Sequence, residues 1–147
     1  KQYSPEKLII LGDLFHSRYS IDKTLQKKVE DLPELLKTNI ELILGNHDVG
    51  CDIKNLKIFN IRKTKNLSFS HEPVNSEDNK TLNICGHYHP KIYLKNNGDR
   101  LSFRCFAMDM KKNTLYLPAF GDLTGGYPCK KSFKKWAILS ENEILEI

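Results

Sequence analysis

No stretch of this 147-residue chain stays apolar for long: the longest uninterrupted aliphatic run is Leu8 to Leu11, far short of the ~20 residues a membrane-crossing helix needs. The sequence shows no apolar region behind a basic N-terminus of the kind that marks a secretory signal, so the expected compartment is the cytoplasm, with no membrane partner. Cysteine is scarce as well. Cys51, Cys85, Cys105 and Cys129 are widely and unevenly spaced without a Cys-x-x-Cys, which argues against both a disulfide framework and a zinc knuckle. They read as reduced bystanders. Internal repeats and low-complexity segments are missing too, which excludes solenoid and fibrous classes. What is present, 39% hydrophobic residues over 147 positions, suffices for one domain with a core, expected to span residues 1–147. A net charge of +5 favours polyanionic partners, and bound cations would add to it.

Three short apolar runs each stop at a glycine followed by metal-ligating side chains. Leu8–Leu11 runs into Gly12-Asp13, Leu42–Leu44 into Gly45-Asn46-His47-Asp48, and Asn83–Cys85 into Gly86-His87-Tyr88-His89. Such runs read as buried strands of a mostly parallel sheet. Ligands of open α/β sheets bind at the carboxyl ends of the strands, so Asp13, Asn46, His87 and His89 are aimed at one place.

Between the motifs the pattern alternates strand and helix. Residues 7–11 form a first strand, and Leu25, Val29, Leu32, Leu35 and Leu36 keep a helical spacing that buries one face. Pro33 interrupts that stretch, which predicts two short helices or a kink near Glu30 to Leu32. A second strand at 40–44 completes a βαβ unit with a parallel pair. Strands are also expected at 57–61, 67–70 and 81–85, with a polar loop at 72–80. The second half changes character. Asn97-Gly98 between alternating runs at 91–95 and 101–106 is a strong hairpin signal. A second hairpin is expected across Lys111 to Asn113, and a third joins Trp136–Leu139 to Glu143–Ile147. The fold class is α/β, a two-layer β-sandwich flanked by helices.

The chemistry follows from the donor set. A carboxylate able to bridge two cations, borderline imidazoles and a neutral amide oxygen suit Mn, Fe or Zn better than Ca or Mg alone. Gly-Asp by itself is an ordinary turn in most proteins. Gly45-Asn46-His47-Asp48 directly after a strand is another matter, because neither Asn nor His has a core role there. His87 and His89, at i and i+2, can bind metal from an extended segment or simply form a polar turn before Pro90. His71, in Ser70-His71-Glu72-Pro73, gains interest from its place between these motifs. Near the C-terminus, Lys130 to Trp136 interleaves four lysines with two aromatics, a stripe that could follow a nucleic-acid backbone or merely lead into an ordinary strand.

Taken in order, Gly12-Asp13, Gly45-Asn46-His47-Asp48, His71 and Gly86-His87-x-His89 resemble the calcineurin-like metallophosphoesterases. The nearer resemblance is to the ligase-associated DNA damage response endonuclease group. It is carried by Leu11-Gly-Asp-Leu-Phe-His16-Ser-Arg18, His71-Glu-Pro73, Cys85-Gly-His-Tyr-His-Pro90, Arg104-Cys-Phe106, Leu117-Pro-Ala-Phe-Gly121 and Thr124-Gly-Gly126. The resemblance implies that Asp13 is shared by two divalent cations, with Asn46, His71 and His87 completing one site and His89 belonging to the other. It makes His47 the catalytic histidine, held by Asp48. In-line attack by a hydroxide generated between cations roughly 3.5 to 4 Å apart would then cleave a phosphoester. Nucleic acid is the substrate implied, with DNA ligase or helicase repair partners; a homo-oligomer is left open.

Two departures qualify the match. Family members start with an Asp-x-His after an N-terminal strand, and these 147 residues contain none. The expectation is therefore a chain that is N-terminally incomplete, that binds one metal much better than two, and that is weakly active or dead alone. His16 stands where many members carry an acidic residue, and either orients a ligand or touches substrate. Arg18 is a candidate phosphate contact, since guanidinium matches two phosphoryl oxygens. The alternatives to a nuclease are a small-molecule phosphomonoesterase or cyclic nucleotide phosphodiesterase, and a catalytically impaired nucleic-acid or repair-protein binding module.

Overall fold

The computed structural model describes residues 4–15, 21–50, 53–75, 80–96, 99–121 and 124–147. The first apolar run becomes β1 (Lys7–Ile10), and the helical spacing becomes α1 (Lys23–Glu30) and α2 (Leu32–Leu36). Asp22 caps α1 by accepting the Leu25 amide at 2.7 Å, satisfying one of the donors a helix start leaves open. Pro33 sits in the first turn of α2, where its missing N–H costs nothing, so the break falls where the proline dictates. β2 (Asn39–Ile43) returns parallel to β1 in the register Leu8 opposite Ile40, as the βαβ reading requires.

β2 is the centre of a small parallel sheet ordered β1-β2-β3, with β3 spanning Lys57–Phe59. Its residues 40–43 are all buried, and Leu42 joins Phe15, Val29 and Ile53 in the core between sheet and helices. The run read as one strand at 57–61 divides at Asn60. β3 pairs with β2, whereas β4 (Ile61–Lys63) turns into a second sheet and runs antiparallel to β5 (Leu67–Ser70). A chain that switches sheets has to bend, and this bend is the first link between the layers.

The second sheet holds the rest. β5 and β6 (Leu82–Cys85) are parallel, and β6 is parallel to β9 (Thr114–Tyr116). The hairpin of β7 (Pro90–Asn96) and β8 (Asp99–Asp109) closes with Asn96 opposite Asp99; Asn97-Gly98 lies outside the described residues. β8 then pairs with β9 across Lys111 to Asn113, and with β11 (Lys134–Ser140), which forms the last hairpin with β12 (Glu143–Glu146). The sequence reading omitted β10 (Tyr127–Pro128), a two-residue strand parallel to β7 that follows Gly125-Gly126 and ends in a proline. The lysine-aromatic stripe resolves toward its plainer alternative. Phe133 is buried against Tyr116 at 5.5 Å and is not free to stack on a base, while Trp136 sits within β11 with its indole donating to Glu146.

A buried carboxylate ties the two sheets together. Glu41, on the buried stretch of β2, pairs with Lys7 of β1 at 2.6 Å and with Arg62 of β4 at 3.3 Å. The hydrogen bond from Lys7 is the largest influence and holds the Glu41 carboxyl below its usual range, with burial acting the other way. Glu41→Gln is expected to destabilise the fold by about 1.5–3 kcal/mol at neutral pH, the range for hydrogen bonds to a charged group. A depressed carboxylate contributes stability above its unfolded value and loses it as pH falls through the folded one. Urea melts should therefore show the variant and wild type converging below the ordinary carboxylate range. A gap that persists unchanged in acid would refute the assignment.

Candidate metal centre

Four parallel strands, two from each sheet, end at one seam. Asp13 follows β1, Asn46 follows β2, His71 follows β5 and His87 follows β6. The sheets meet there through glycines. A Cβ on Gly12 would run into the His71 ring and the Gly45 backbone, and one on Gly45 would run into Asp13. Glycine is required at 12 twice over, since its φ is +84°. The Gly86 amide donates to the His71 carbonyl at 3.1 Å, which carries the β5–β6 pairing one step further and keeps the two loops side by side.

His71 organises the cluster. It is 5% exposed, and its Nδ1 lies 2.8 Å from the Leu11 carbonyl oxygen. A carbonyl only accepts, so Nδ1 carries the proton, and in the neutral ring Nε2 is a bare lone pair. Around that Nε2 stand Asn46 Oδ1 at 3.1 Å, His87 Nδ1 at 2.9 Å and Asp13 Oδ2 at 3.3 Å. Asn46 and Asp13 present oxygen lone pairs to that nitrogen, and with the His87 ring in its Nε2–H tautomer its Nδ1 adds a fourth lone pair, the arrangement a cation would hold together. Donors about 2.1 Å from a common ion stand about 3.0 to 3.4 Å apart in octahedral or tetrahedral arrangements. The observed separations have that size. Asp13, His71 and His87 place one ligand atom each within 4.8 Å of the others.

Backbone strain concentrates on the same residues. Asp13 (φ 52°), His87 (φ 56°) and His89 (φ 46°) all occupy the left-handed region that non-glycine residues avoid. Such outliers persist where the surroundings over-determine them, as at ligand clamps. His89 lies outside the tight group but within electrostatic range of Asp13, His71 and His87. Burial lowers its imidazole from the usual range, with Asp13 opposing, which favours the neutral, ligating form.

The Asn46-His47-Asp48 loop is anchored from both ends. The His47 amide donates to Asp13 Oδ1 at 3.0 Å, while its side chain is exposed at the rim. Asp48 is 0% exposed, and its oxygens accept the amides of Phe15 at 3.2 Å and Gly45 at 3.0 Å. One carboxylate thereby fastens the loops after β1 and β2 to each other. Asp48→Asn would turn an amide N–H₂ toward a backbone donor. It is expected to cost about 1–3 kcal/mol of stability and about 10- to 100-fold in metal affinity, read by chemical denaturation and by Mn titration. Unaltered metal affinity would show that the staple is irrelevant to the centre.

A second polar cluster holds the His71 side of the seam. Asn83, fully buried on β6, donates to the Ser68 carbonyl, to Ser68 Oγ and to Ser70 Oγ, and accepts the Val74 amide at 3.1 Å. It thus brackets the turn that carries His71. Sequence reading had no access to Asn83 or the Leu11 carbonyl: the first looked like an ordinary strand residue, and the second is backbone. His16 and Arg18 lie outside the described residues.

A strand-end cluster of mixed carboxylate, amide and imidazole donors in a two-sheet α/β fold defines a metal-dependent phosphoester hydrolase. The calcineurin-like phosphoesterase profile matches residues 1–139, and the chain belongs to that family, whose members use divalent metal ions. The crystal structure of the Pseudomonas putida nuclease MPE is similar, with 27% identity and a TM-score of 0.80 over 99% of this chain and 73% of that one. No curated protein matches. The residues present fit the ions the family implies, because a carboxylate, an amide oxygen and a second imidazole stand 2.9 to 3.3 Å from His71 Nε2, the spacing and chemistry of a divalent-metal ligand set. Among the described residues no helix is long and apolar enough to cross a membrane.

Proposed function

We propose that this chain is a nucleic-acid phosphodiesterase or endonuclease of the ligase-associated DNA damage response type. The observation that carries the reading is the convergence of Asp13, Asn46 and His87 on the bare Nε2 of His71, at the ends of strands from both sheets. Asp13, Asn46, His71 and His87 would hold one divalent cation, and Asp13 with His89 would contribute to a second. When bound, the ions supply charge for the phosphoryl oxygens and acidify water. Mn is the favoured metal, with Fe and Zn as alternatives.

The remaining steps belong to the chain itself. His47 Nε2 or Nδ1 delivers a proton to the leaving oxygen, and Asp48 is a positioning residue that keeps the His47 loop against the loop of Asp13. The nuclease identity of the structural neighbour and the net charge of +5 support a polyanionic diester over a small monoester. A cytoplasmic location and repair partners such as a DNA ligase or helicase belong to the same proposal.

The test is hydrolysis of bis-p-nitrophenyl phosphate, p-nitrophenyl phosphate and a DNA oligonucleotide with added Mn. Diester and oligonucleotide cleavage well above monoester cleavage is the expected result. Preference for the monoester would move the assignment to a phosphomonoesterase. Metal binding without turnover of any substrate would fit both the weak activity expected from the missing Asp-x-His and a binding module, which oligonucleotide affinity in the absence of metal would then separate.

A further inference from the structure

Phe120 is 102% exposed, as open to solvent as in an extended peptide. A single exposed apolar residue is ordinary, but this one lies three residues beyond a backbone tie to Cys85, the residue that leads into Gly86-His87. Its loop, 117–121, leaves the carboxyl end of β9, the strand parallel to β6. The Leu117 amide donates to the Cys85 carbonyl at 2.8 Å, so the loop starts alongside Gly86-His87. Arg104 Nη1 donates to the carbonyls of Ala119 at 3.2 Å and Phe120 at 3.1 Å, and Ala119 is buried. The backbone is thus tied down where the side chain is left bare.

The neighbourhood has the makings of a nucleotide surface. Tyr127, 63% exposed, stacks at 5.9 Å on Tyr88, the residue between His87 and His89, and its amide donates to the His89 carbonyl. Lys91 donates to the Thr124 carbonyl and Arg104 to the Phe120 carbonyl, two of the cations behind the net charge of +5. Exposed aromatics set among cations on a backbone-binding face are how proteins hold unpaired bases, because every base has a π-face.

We infer that Phe120 is a base-stacking residue that seats an unpaired nucleobase next to the scissile phosphate. The inference rests on the nucleic-acid phosphodiesterase reading and narrows it to substrates that offer a base outside a duplex stack. No covalent step is involved. Charge supplies attraction along the strand, and the ring fixes register.

The experiment titrates wild type, Phe120→Ala and Phe120→Trp into single-stranded oligonucleotides carrying 2-aminopurine at successive positions. Wild type should quench 2-aminopurine at one position, Phe120→Ala should lose the quench and bind about tenfold more weakly, and Phe120→Trp should restore both. An oligonucleotide with an abasic residue at that position should bind wild type and Phe120→Ala equally. If Phe120→Ala matches wild type in quench and affinity, the inference is overturned and the ring is bare surface or a contact for another protein. Equal weakening on the abasic strand would also overturn it, by showing a structural role. Cleavage of the same oligonucleotides by wild type with Mn scores the parent reading separately, since stacking is read without turnover.

Discussion

His71→Ala is expected to strip the centre of its metal and to lower phosphodiester hydrolysis on the order of 10³-fold, the loss of several kcal/mol of charge stabilisation. The size of the effect follows from position. His71 Nε2 lies within 3.3 Å of all three other donors, and its ring is locked by the Leu11 carbonyl. Removing the imidazole leaves Asp13, Asn46 and His87 around an empty volume that water fills poorly as a ligand set. The accompanying structural cost is small by comparison, about 1–3 kcal/mol for an unpaired Leu11 carbonyl.

Metal linkage separates the two contributions. A ligand that binds only the folded state stabilises by about 2.7 kcal/mol at a hundred times its dissociation constant. Wild type should therefore melt later as Mn is added, whereas His71→Ala should not respond, even if both melt alike in EDTA. Elemental analysis after dialysis gives the direct count. Asp13→Asn should behave in the same direction, since it keeps the shape and removes the charge. A His71→Ala protein that retains wild-type metal and turnover would dissolve the centre described here.

The element pattern was largely legible because this chain relies on local signals. Pro33 placed the helix break, the βαβ spacing set the β1-β2 pair, and Asn97-Gly98 announced the β7-β8 hairpin with its register. The split at Asn60 was not legible, because Lys57 to Ile61 reads as one strand and only the layer change divides it. Tyr127–Pro128 was missed because its pairing to β7 is set by the neighbouring chain and not by its own composition. Strand identity is local, but partnership is not.

The candidate ligand residues were legible for a related reason. Asp13, Asn46, His71 and His87 are polar residues directly behind apolar strands, where no packing role explains them. What brings them together is invisible at that level: the glycines at 12 and 45 that let the sheets touch, the Leu11 carbonyl that chooses the His71 tautomer, and Asp48 stapling two loops through Phe15 and Gly45. Asp48 illustrates the difference. Its neighbour in sequence is a candidate acid, yet both of its oxygens are taken by backbone amides, an arrangement only the fold reveals.

His47→Ala should separate proton delivery from metal binding. The side chain is exposed at the rim while its backbone amide is fixed to Asp13 Oδ1 at 3.0 Å, so truncation beyond Cβ leaves the donor cluster intact. General acid catalysis contributes about 10²- to 10⁴-fold when the leaving group is poor. An alkoxide leaving from a nucleic-acid backbone needs a proton, whereas nitrophenolate leaves without one. The variant should hence lose on the order of 10³-fold on an oligonucleotide and far less on bis-p-nitrophenyl phosphate, with metal content unchanged. Equal losses on both substrates would assign His47 to substrate placement instead. Loss of metal would make it a support of Asp13. The leaving-group dependence is the measurement that distinguishes an acid from either, because no purely structural defect sorts substrates by the basicity of the departing oxygen.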